Sequence, residues 1–178
     1  MFRLKSKQGF TLTELLTVIG IFVFLATIVV VNFRIGERNS QFLLATEQVA
    51  SDLRKMQTLA LTGTVEGEVI ASGGFGAYFD GSSADEYLLF RDDGDLSYGA
   101  SDAILETIAL PETITLGSLT ANPLIVIFKP PKPTVYINGA QAINAVEIQL
   151  ESSRIEDKYG SVNLNRITGR ITAELNSL

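Results

Sequence analysis

One carboxylate stands at the edge of a long apolar stretch near the N-terminus. Glu14 is followed at residues 15–33 by 19 residues without a charge, LLTVIGIFVFLATIVVVNF. An unpaired ionised carboxylate inside lipid costs roughly 2.5 to 3.5 kcal/mol, so a carboxylate in this place is a candidate functional group. The alternative is that Glu14 lies at the headgroup level and only reaches toward water. On position alone, the two interpretations are equally well supported.

Two residue types on which many active sites depend are missing from the chain. The 178 residues include no Cys and no His. This removes disulfides, thiol nucleophiles, the usual general base and the commonest zinc ligands. The sequence also has no recognisable nucleophile motif, metal-ligand spacing or phosphate loop. We therefore predict that the chain is not an enzyme and has no cofactor of its own, with a membrane-tethered enzyme that uses carboxylates or serines as an alternative.

A second group of carboxylates lies in the middle of the chain. Asp92, Asp93 and Asp95 are close together in sequence, and clustered carboxylates are the ligands that calcium prefers. An EF-hand register that starts at Asp93 puts Tyr98 where the turn glycine belongs and Ile104 where the bidentate Glu belongs. The spacing therefore favours a hairpin turn with solvated acids, and the three aspartates are only weak candidates for a metal site.

The charge distribution argues against nucleic-acid binding. Residues 1–62 hold seven Lys and Arg against four Asp and Glu, whereas residues 63–178 hold seven against sixteen. An acidic surface repels the phosphate backbone. The basic residues near the C-terminus alternate with acidic ones, which indicates a solvated mixed-charge surface; they are Arg154, Lys158, Arg166 and Arg170.

The apolar stretch has the length of a membrane span. At 1.5 Å per residue, residues 15–33 reach about 28 Å as a helix, close to the thickness of the hydrocarbon core. Arg3, Lys5 and Lys7 precede it, so the N-terminus is expected in the cytoplasm and the remainder outside. An ordinary secretory signal has a shorter apolar region and a small-x-small cleavage site. We therefore predict a single-pass protein of the cytoplasmic membrane.

The residues around this boundary resemble the class III signal of type IV pilins and pseudopilins. The segment KQGFTLTE at residues 7–14, followed by LLTVIGIFVFLATIVV, carries the resemblance. It implies that a prepilin peptidase cuts between Gly9 and Phe10 and methylates the new amine of Phe10. Glu14 is then the fifth residue of the mature chain, and the resemblance implies that it meets the N-terminal amine of a neighbouring subunit during assembly. Replacement of Glu14 is expected to impair assembly and to leave membrane insertion intact.

The apolar stretch is predicted to continue into an amphipathic helix. Apolar residues recur at steps of three and four, and the opposite face is predicted to include Asp52, Arg54 and Lys55. Gly63 is a stop signal, so one helix is expected from about Thr11 to Thr62. Val31 stands where many type IV pilins carry a proline, which puts the associated kink in doubt. The apolar positions are Phe42, Ala45, Val49, Leu53, Met56 and Ala60.

Beyond residue 63, short apolar runs bounded by Gly, Pro, Asp, Asn and Ser predict antiparallel sheets. The run KPPKP at residues 129–133 is expected to connect two strands or guard a sheet edge, with a polyproline ligand as the alternative. The fold class is therefore α+β, a long N-terminal helix packed on an antiparallel β-sheet head. The expected strands lie near residues 68–71, 75–79, 87–91, 104–110, 113–116, 124–129, 134–137, 146–150, 161–164 and 169–174.

The order of features in the head also resembles GspH/FimT-type minor pilins and pseudopilins. The segments SDLRKMQTLALTG, FGAYFD, YLLFRDDGDLSYG and VNLNRITGRI carry this resemblance, together with residues 125–132. It implies a structural subunit of a type II secretion pseudopilus or a type IV pilus. The implied partners are the prepilin peptidase, other subunits, the inner-membrane assembly platform and, before assembly, lipid. A pilin-like receptor for DNA uptake or adhesion is the alternative.

The predicted organisation of the chain has four parts. A cleaved leader is followed by a transmembrane assembly helix, by the amphipathic half of the same helix and by an extracytoplasmic head. Their ranges are residues 1–9, 10–33, 34–62 and 63–178.

Overall fold

The computed structural model describes residues 11–62, 64–65, 68–69, 73–132 and 134–177. Two compact units are present, Met1–Arg38 and Asn39–Leu178. The predicted long helix is confirmed as α1, Leu12–Thr62. It ends one residue before Gly63, the predicted stop.

Eleven strands follow the helix in the described residues, and a short 3-10 helix, Gly81–Ser83, lies between β3 and β4. Each of the ten predicted strands overlaps one of them. The strands are β1 Thr64–Val65, β2 Glu68–Val69, β3 Phe75–Phe79, β4 Glu86–Arg91, β5 Ala103–Ala109, β6 Ile114–Leu119, β7 Leu124–Lys129, β8 Thr134–Ile137, β9 Ala145–Ser152, β10 Ile155–Asn165 and β11 Ile171–Ser177.

The largest differences from the predictions concern two strands. The short β1 was not predicted, and β10 begins at Ile155 rather than at Ser161. The pairing of β10 with β9 shifts register between Ile155 and Gly160. Such an irregularity breaks the two-residue alternation by which strands are recognised in a sequence.

The strands form three antiparallel sheets. The largest has the order β5-β4-β3-β7-β8, the second has the order β11-β10-β9-β6, and β1 pairs only with β2. The predicted connection of the KPPKP run is found, because residues 130–132 lie in the turn between β7 and β8. Strand β8 is also an edge strand, and Pro133 lies outside the described residues.

The core of the second unit lies between the C-terminal part of α1 and the two larger sheets. The predicted apolar positions of the helix, from Phe42 to Ala60, are all buried there. Two side chains of the helix also donate hydrogen bonds to the sheet: Arg54 Nη2 to the carbonyl of Ile171, at the start of β11, and Gln57 Nε2 to that of Gly169 in the β10–β11 connection, both at 3.0 Å. The α+β arrangement is thus confirmed as a helix packed on antiparallel sheets.

The prediction that Asp52 lies on the solvated face of the helix is wrong. Asp52 is buried, and its carboxylate accepts hydrogen bonds from the Tyr87 hydroxyl and the Gln48 amide. A buried carboxylate is tolerated where such donors replace water. Burial, and then the bond to Asp52, raise the pKa of Tyr87 above its ordinary value of 10.0.

Within the first unit, the backbone is helical at Val31, where the resemblance places a proline in many pilins. Valine keeps its backbone N–H for the helical hydrogen bond that proline would remove. No interruption of the helix is therefore expected at this residue.

Candidate functional site

The N-terminal end of α1 is organised by Thr11. Its hydroxyl accepts a hydrogen bond from the backbone N–H of Glu14 at 3.3 Å, and its carbonyl accepts one from Leu15 at 3.1 Å. Thr11 thereby satisfies donors that every helix start leaves open. Glu14 lies in the first turn and is exposed, where a negative charge is favoured by the helix dipole. Glu14 therefore lies in the first helical turn, at the start of the apolar stretch.

The residues that follow form a helix long and apolar enough to cross a membrane. This span is Leu12–Val30, 19 residues, and none of it is buried within the protein. Its threonine hydroxyls donate inside the helix, Thr17 to the carbonyl of Thr13 at 2.6 Å and Thr27 to that of Val23 at 2.9 Å. Because these polar groups are satisfied without water, the span suits lipid or the interior of a helix bundle.

The predicted processing residues, Gly9 and Phe10, lie outside the described residues. Cleavage between them, methylation of Phe10 and pairing of Glu14 with a neighbouring amine therefore stay predictions.

The three clustered aspartates of the head lie in the loop between β4 and β5. Asp92, Asp93 and Asp95 each bring a carboxylate oxygen within 4.8 Å of the others. The prediction of solvated acids holds for Asp93 and Asp95 and is wrong for Asp92, which is only 2% exposed. The reason is local packing, because the backbone of Asp92 lies against Gly73 and donates to the carbonyl of Gly74 at 2.9 Å.

The carboxyl groups of this loop differ in their environments. Burial raises the pKa of Asp92 above its ordinary value. The pKa of Asp95 is lowered, because the backbone N–H and then the hydroxyl of Ser97 donate to its carboxylate. Asp92 Oδ1 accepts the N–H of Leu96 at 3.1 Å, whereas Asp92 Oδ2 has no hydrogen-bond partner.

Aromatic packing and one further aspartate position the loop. The ring of Tyr98 lies 4.5 Å from that of Tyr78 and 5.0 Å from that of Phe90, measured between centroids. The Asp102 carboxylate accepts the backbone N–H of Asp93 at 2.9 Å and that of Gly99 at 2.8 Å. The hydrogen bonds of Asp102 and the ring contacts of Tyr98 could not be predicted from the sequence, because their partners are set by the loop conformation.

Among the basic residues near the C-terminus, Arg166 has a clear structural role. Its Nε donates to the carbonyl of Ile143 and its Nη2 to Asn144 Oδ1, both at 3.0 Å. These bonds hold the β8–β9 connection against the end of β10. The guanidinium group of Arg166 is thus used for hydrogen bonds within the head.

Comparison with known families gives one match. Residues 4–30 match the model of the prokaryotic N-terminal methylation motif, the class III signal of type IV pilins. Comparison with curated proteins and with solved structures gave no match. The motif implies processing by prepilin peptidase and assembly with other pilins, and with the apolar helix it is consistent with an anchor in the inner membrane. The chain is therefore identified, through residues 4–30, as carrying the N-terminal methylation motif of type IV pilin-like proteins.

Proposed function

We propose that this protein is a minor pilin or pseudopilin, a structural subunit that assembles through its N-terminal helix into a type II secretion pseudopilus or a type IV pilus. One observation carries the proposal. The methylation motif at residues 4–30 overlaps an apolar helix, Leu12–Val30, that the protein leaves unburied, with Glu14 in the first turn. An apolar helix without internal partners needs lipid or other helices around it.

The assembly mechanism follows from the apolar surroundings that this helix requires. The precursor is held in the cytoplasmic membrane by the span, with residues 1–9 in the cytoplasm and the head outside. In a bundle of like helices the span keeps apolar surroundings, so leaving the lipid costs little. Cleavage after Gly9 supplies a cationic amine on Phe10, and Glu14 of a neighbouring subunit pairs with it. Pairing removes the penalty for an isolated carboxylate in an apolar bundle.

The head then occupies the outside of the filament and needs no catalytic group for this role. The order of sequence segments in the head, which resembles that of GspH/FimT-type proteins, supports a subunit of this type. The same helix would serve a receptor for DNA uptake, but residues 63–178 hold sixteen acidic side chains against seven basic ones. This charge favours assembly over binding of a polyanion.

Mass spectrometry of the mature N-terminus tests the proposal. The chain is purified from its native membrane with and without the prepilin peptidase gene. We expect material that begins at N-methylated Phe10 in the first case and at Met1 in the second. A mature chain that begins at any other residue, or that keeps Met1 when the peptidase is present, would contradict the proposal.

A further inference from the structure

A buried carboxylate oxygen in the head has no partner. The side chain of Asp92 is 2% exposed, and its Oδ2 makes no hydrogen bond. Its Oδ1 accepts the N–H of Leu96 at 3.1 Å. Buried polar atoms are almost always paired, so an orphaned carboxylate oxygen requires a partner of its own.

Two exposed carboxylates face this group across the loop. One oxygen from each of Asp92, Asp93 and Asp95 lies within 4.8 Å of the others. Hydrogen bonds use only Oδ1 of the two exposed residues, from the N–H of Asp95 to Asp93 at 3.2 Å and from Ser97 to Asp95 at 2.8 Å. The Oδ2 atoms of Asp93 and Asp95 take no part in these hydrogen bonds.

No basic side chain balances the three charges within the described part of the chain. The two ion pairs recorded there join Arg54 to Glu47 and Lys55 to Glu106. The loop from residue 92 to residue 102 contains no Lys or Arg. Three carboxylates that converge without a cation repel one another, and a divalent cation removes that repulsion.

The spacing and the type of the ligands favour calcium. Calcium binds oxygen at 2.3–2.6 Å, so two oxygens on opposite sides of one ion are up to about 5 Å apart. Magnesium demands a near-ideal octahedron at 2.0–2.1 Å and gives up its water reluctantly, so three carboxylates of one irregular loop suit it less well. The three carboxylate oxygens lie within 4.8 Å of one another, so one calcium ion can reach all of them. An all-oxygen ligand set is also the one preferred by hard cations.

We propose that Asp92, Asp93 and Asp95 bind one calcium ion in the loop between β4 and β5. Asp92 Oδ2 is the buried ligand, and the two exposed carboxylates close the site, with water at the remaining positions. The site is not an EF-hand, because Tyr98 and Ile104 stand where that loop requires Gly and Glu.

The ion would fix the loop against the rest of the head. Leu96 lies between the ligands and the β8–β9 connection, where a Cβ on Gly139 would lie 3.2 Å from the Leu96 carbonyl. The backbone N–H of Asp92 donates a hydrogen bond to the carbonyl of Gly74, the residue before β3. Calcium therefore stabilises the head whether or not the protein assembles into a filament, so this inference is independent of the proposed function.

Calorimetry on the full chain in detergent tests the site. After treatment with a chelator, calcium chloride is titrated and the melting temperature is measured with and without it. We expect one ion per chain with a Kd of roughly 10⁻⁵ to 10⁻³ M and a melting temperature higher by several degrees in saturating calcium. Magnesium chloride at the same concentrations should give a clearly weaker response.

Three variants assign the ligands. Asp93→Asn and Asp95→Asn change exposed residues and keep the Oδ1 acceptor that each provides to the loop, and each should weaken calcium binding at least about tenfold through the loss of a charged ligand. Asp92→Asn should do the same if it folds. Asp157→Asn removes an exposed carboxylate elsewhere on the head and should leave the Kd unchanged.

The assignment is overturned by any of three results. These are the absence of calcium-dependent heat and melting shift, an equal response to magnesium, and an equal loss of affinity in Asp157→Asn. The last result would show that calcium only screens the negative charge of the head.

Discussion

The Tyr87 hydroxyl donates a 2.6 Å hydrogen bond to Asp52 Oδ2 in the core of the head. Both residues are buried, and Gln48 Nε2 completes the environment of the carboxylate at 3.1 Å from each oxygen. The Tyr87 ring also stacks on Phe79, with 5.2 Å between the centroids. This bond therefore fixes the C-terminal part of α1 to strand β4 at one defined register.

Tyr87→Phe should lower the free energy of unfolding by about 1.5 to 3 kcal/mol, because the hydrogen bond is to a carboxylate that stays buried. Urea unfolding followed by circular dichroism measures this loss. Tyr136→Phe is the matched control, since Tyr136 is half-buried in the edge strand β8. If Tyr87→Phe lowers the free energy of unfolding no more than Tyr136→Phe does, water takes the place of the Tyr87 hydroxyl as the donor to Asp52.

Replacing both partners should cost less than the two single changes together. With Tyr87→Phe and Asp52→Leu combined, no buried carboxylate is left without its donor. A double-mutant cycle measures the coupling between the two sites, which we expect to reach at least about 1 kcal/mol. If the losses of the two single variants simply add up in the double variant, the 2.6 Å hydrogen bond makes no specific contribution to the stability of the head.

Alkaline pH should destabilise the head through the same tyrosine. Burial and the bond to Asp52 raise the pKa of Tyr87 above its ordinary value of 10.0. The unfolded chain therefore loses this proton at a lower pH than the folded chain does. The associated stability is present below pH 10 and declines as the pH rises above it, by up to about 1.4 kcal/mol per pH unit.

Tyr87→Phe should remove this part of the slope, and Tyr136→Phe should keep it. Unfolding free energies measured in steps between pH 9 and pH 11.5 give the comparison. Equal slopes for Tyr87→Phe and the unchanged protein would contradict the assignment of the effect to Tyr87.

Features that depend on local sequence could be predicted, and features that depend on distant partners could not. The buried face of α1 follows from a spacing of three and four residues, and the methylation motif occupies one continuous segment. The burial of Asp52 depends on Tyr87, 35 positions away. Similarly, Asp92 has the residue type of a solvated turn, but the folded loop buries it, with its backbone close to Gly73, 19 positions earlier in the chain.

The role proposed for Glu14 predicts a separation between membrane insertion and assembly. Glu14→Gln keeps the size of the side chain and removes the charge that would pair with the Phe10 amine. The chain should remain in the membrane fraction and be processed, while its amount in sheared filaments falls at least about tenfold. Glu37→Gln changes another exposed glutamate of α1 and should assemble normally. Equal incorporation of both variants would remove the role assigned to Glu14.

A close approach between α1 and β10 gives the last prediction. Gly160 is buried in β10, and a Cβ on this residue would overlap Oγ1 of Thr46, which is itself fully buried. The Thr46 hydroxyl donates to the Phe42 carbonyl at 3.0 Å, so it is not free to rotate away without losing this bond. Gly160→Ala should therefore lower the free energy of unfolding by about 1 to 3 kcal/mol, the usual cost of overpacking.

Combining Gly160→Ala with Thr46→Ala distinguishes crowding from other effects of the added methyl group. The smaller residue on the helix removes the two atoms nearest to the added Cβ, so Gly160→Ala should cost at least about 1 kcal/mol less in the Thr46→Ala background. Gly99→Ala is the control, because a Cβ there meets nothing within 4 Å, and its effect should stay within about 0.5 kcal/mol. An equal cost of Gly160→Ala in both backgrounds would show that Thr46 does not limit how closely the helix approaches the sheet.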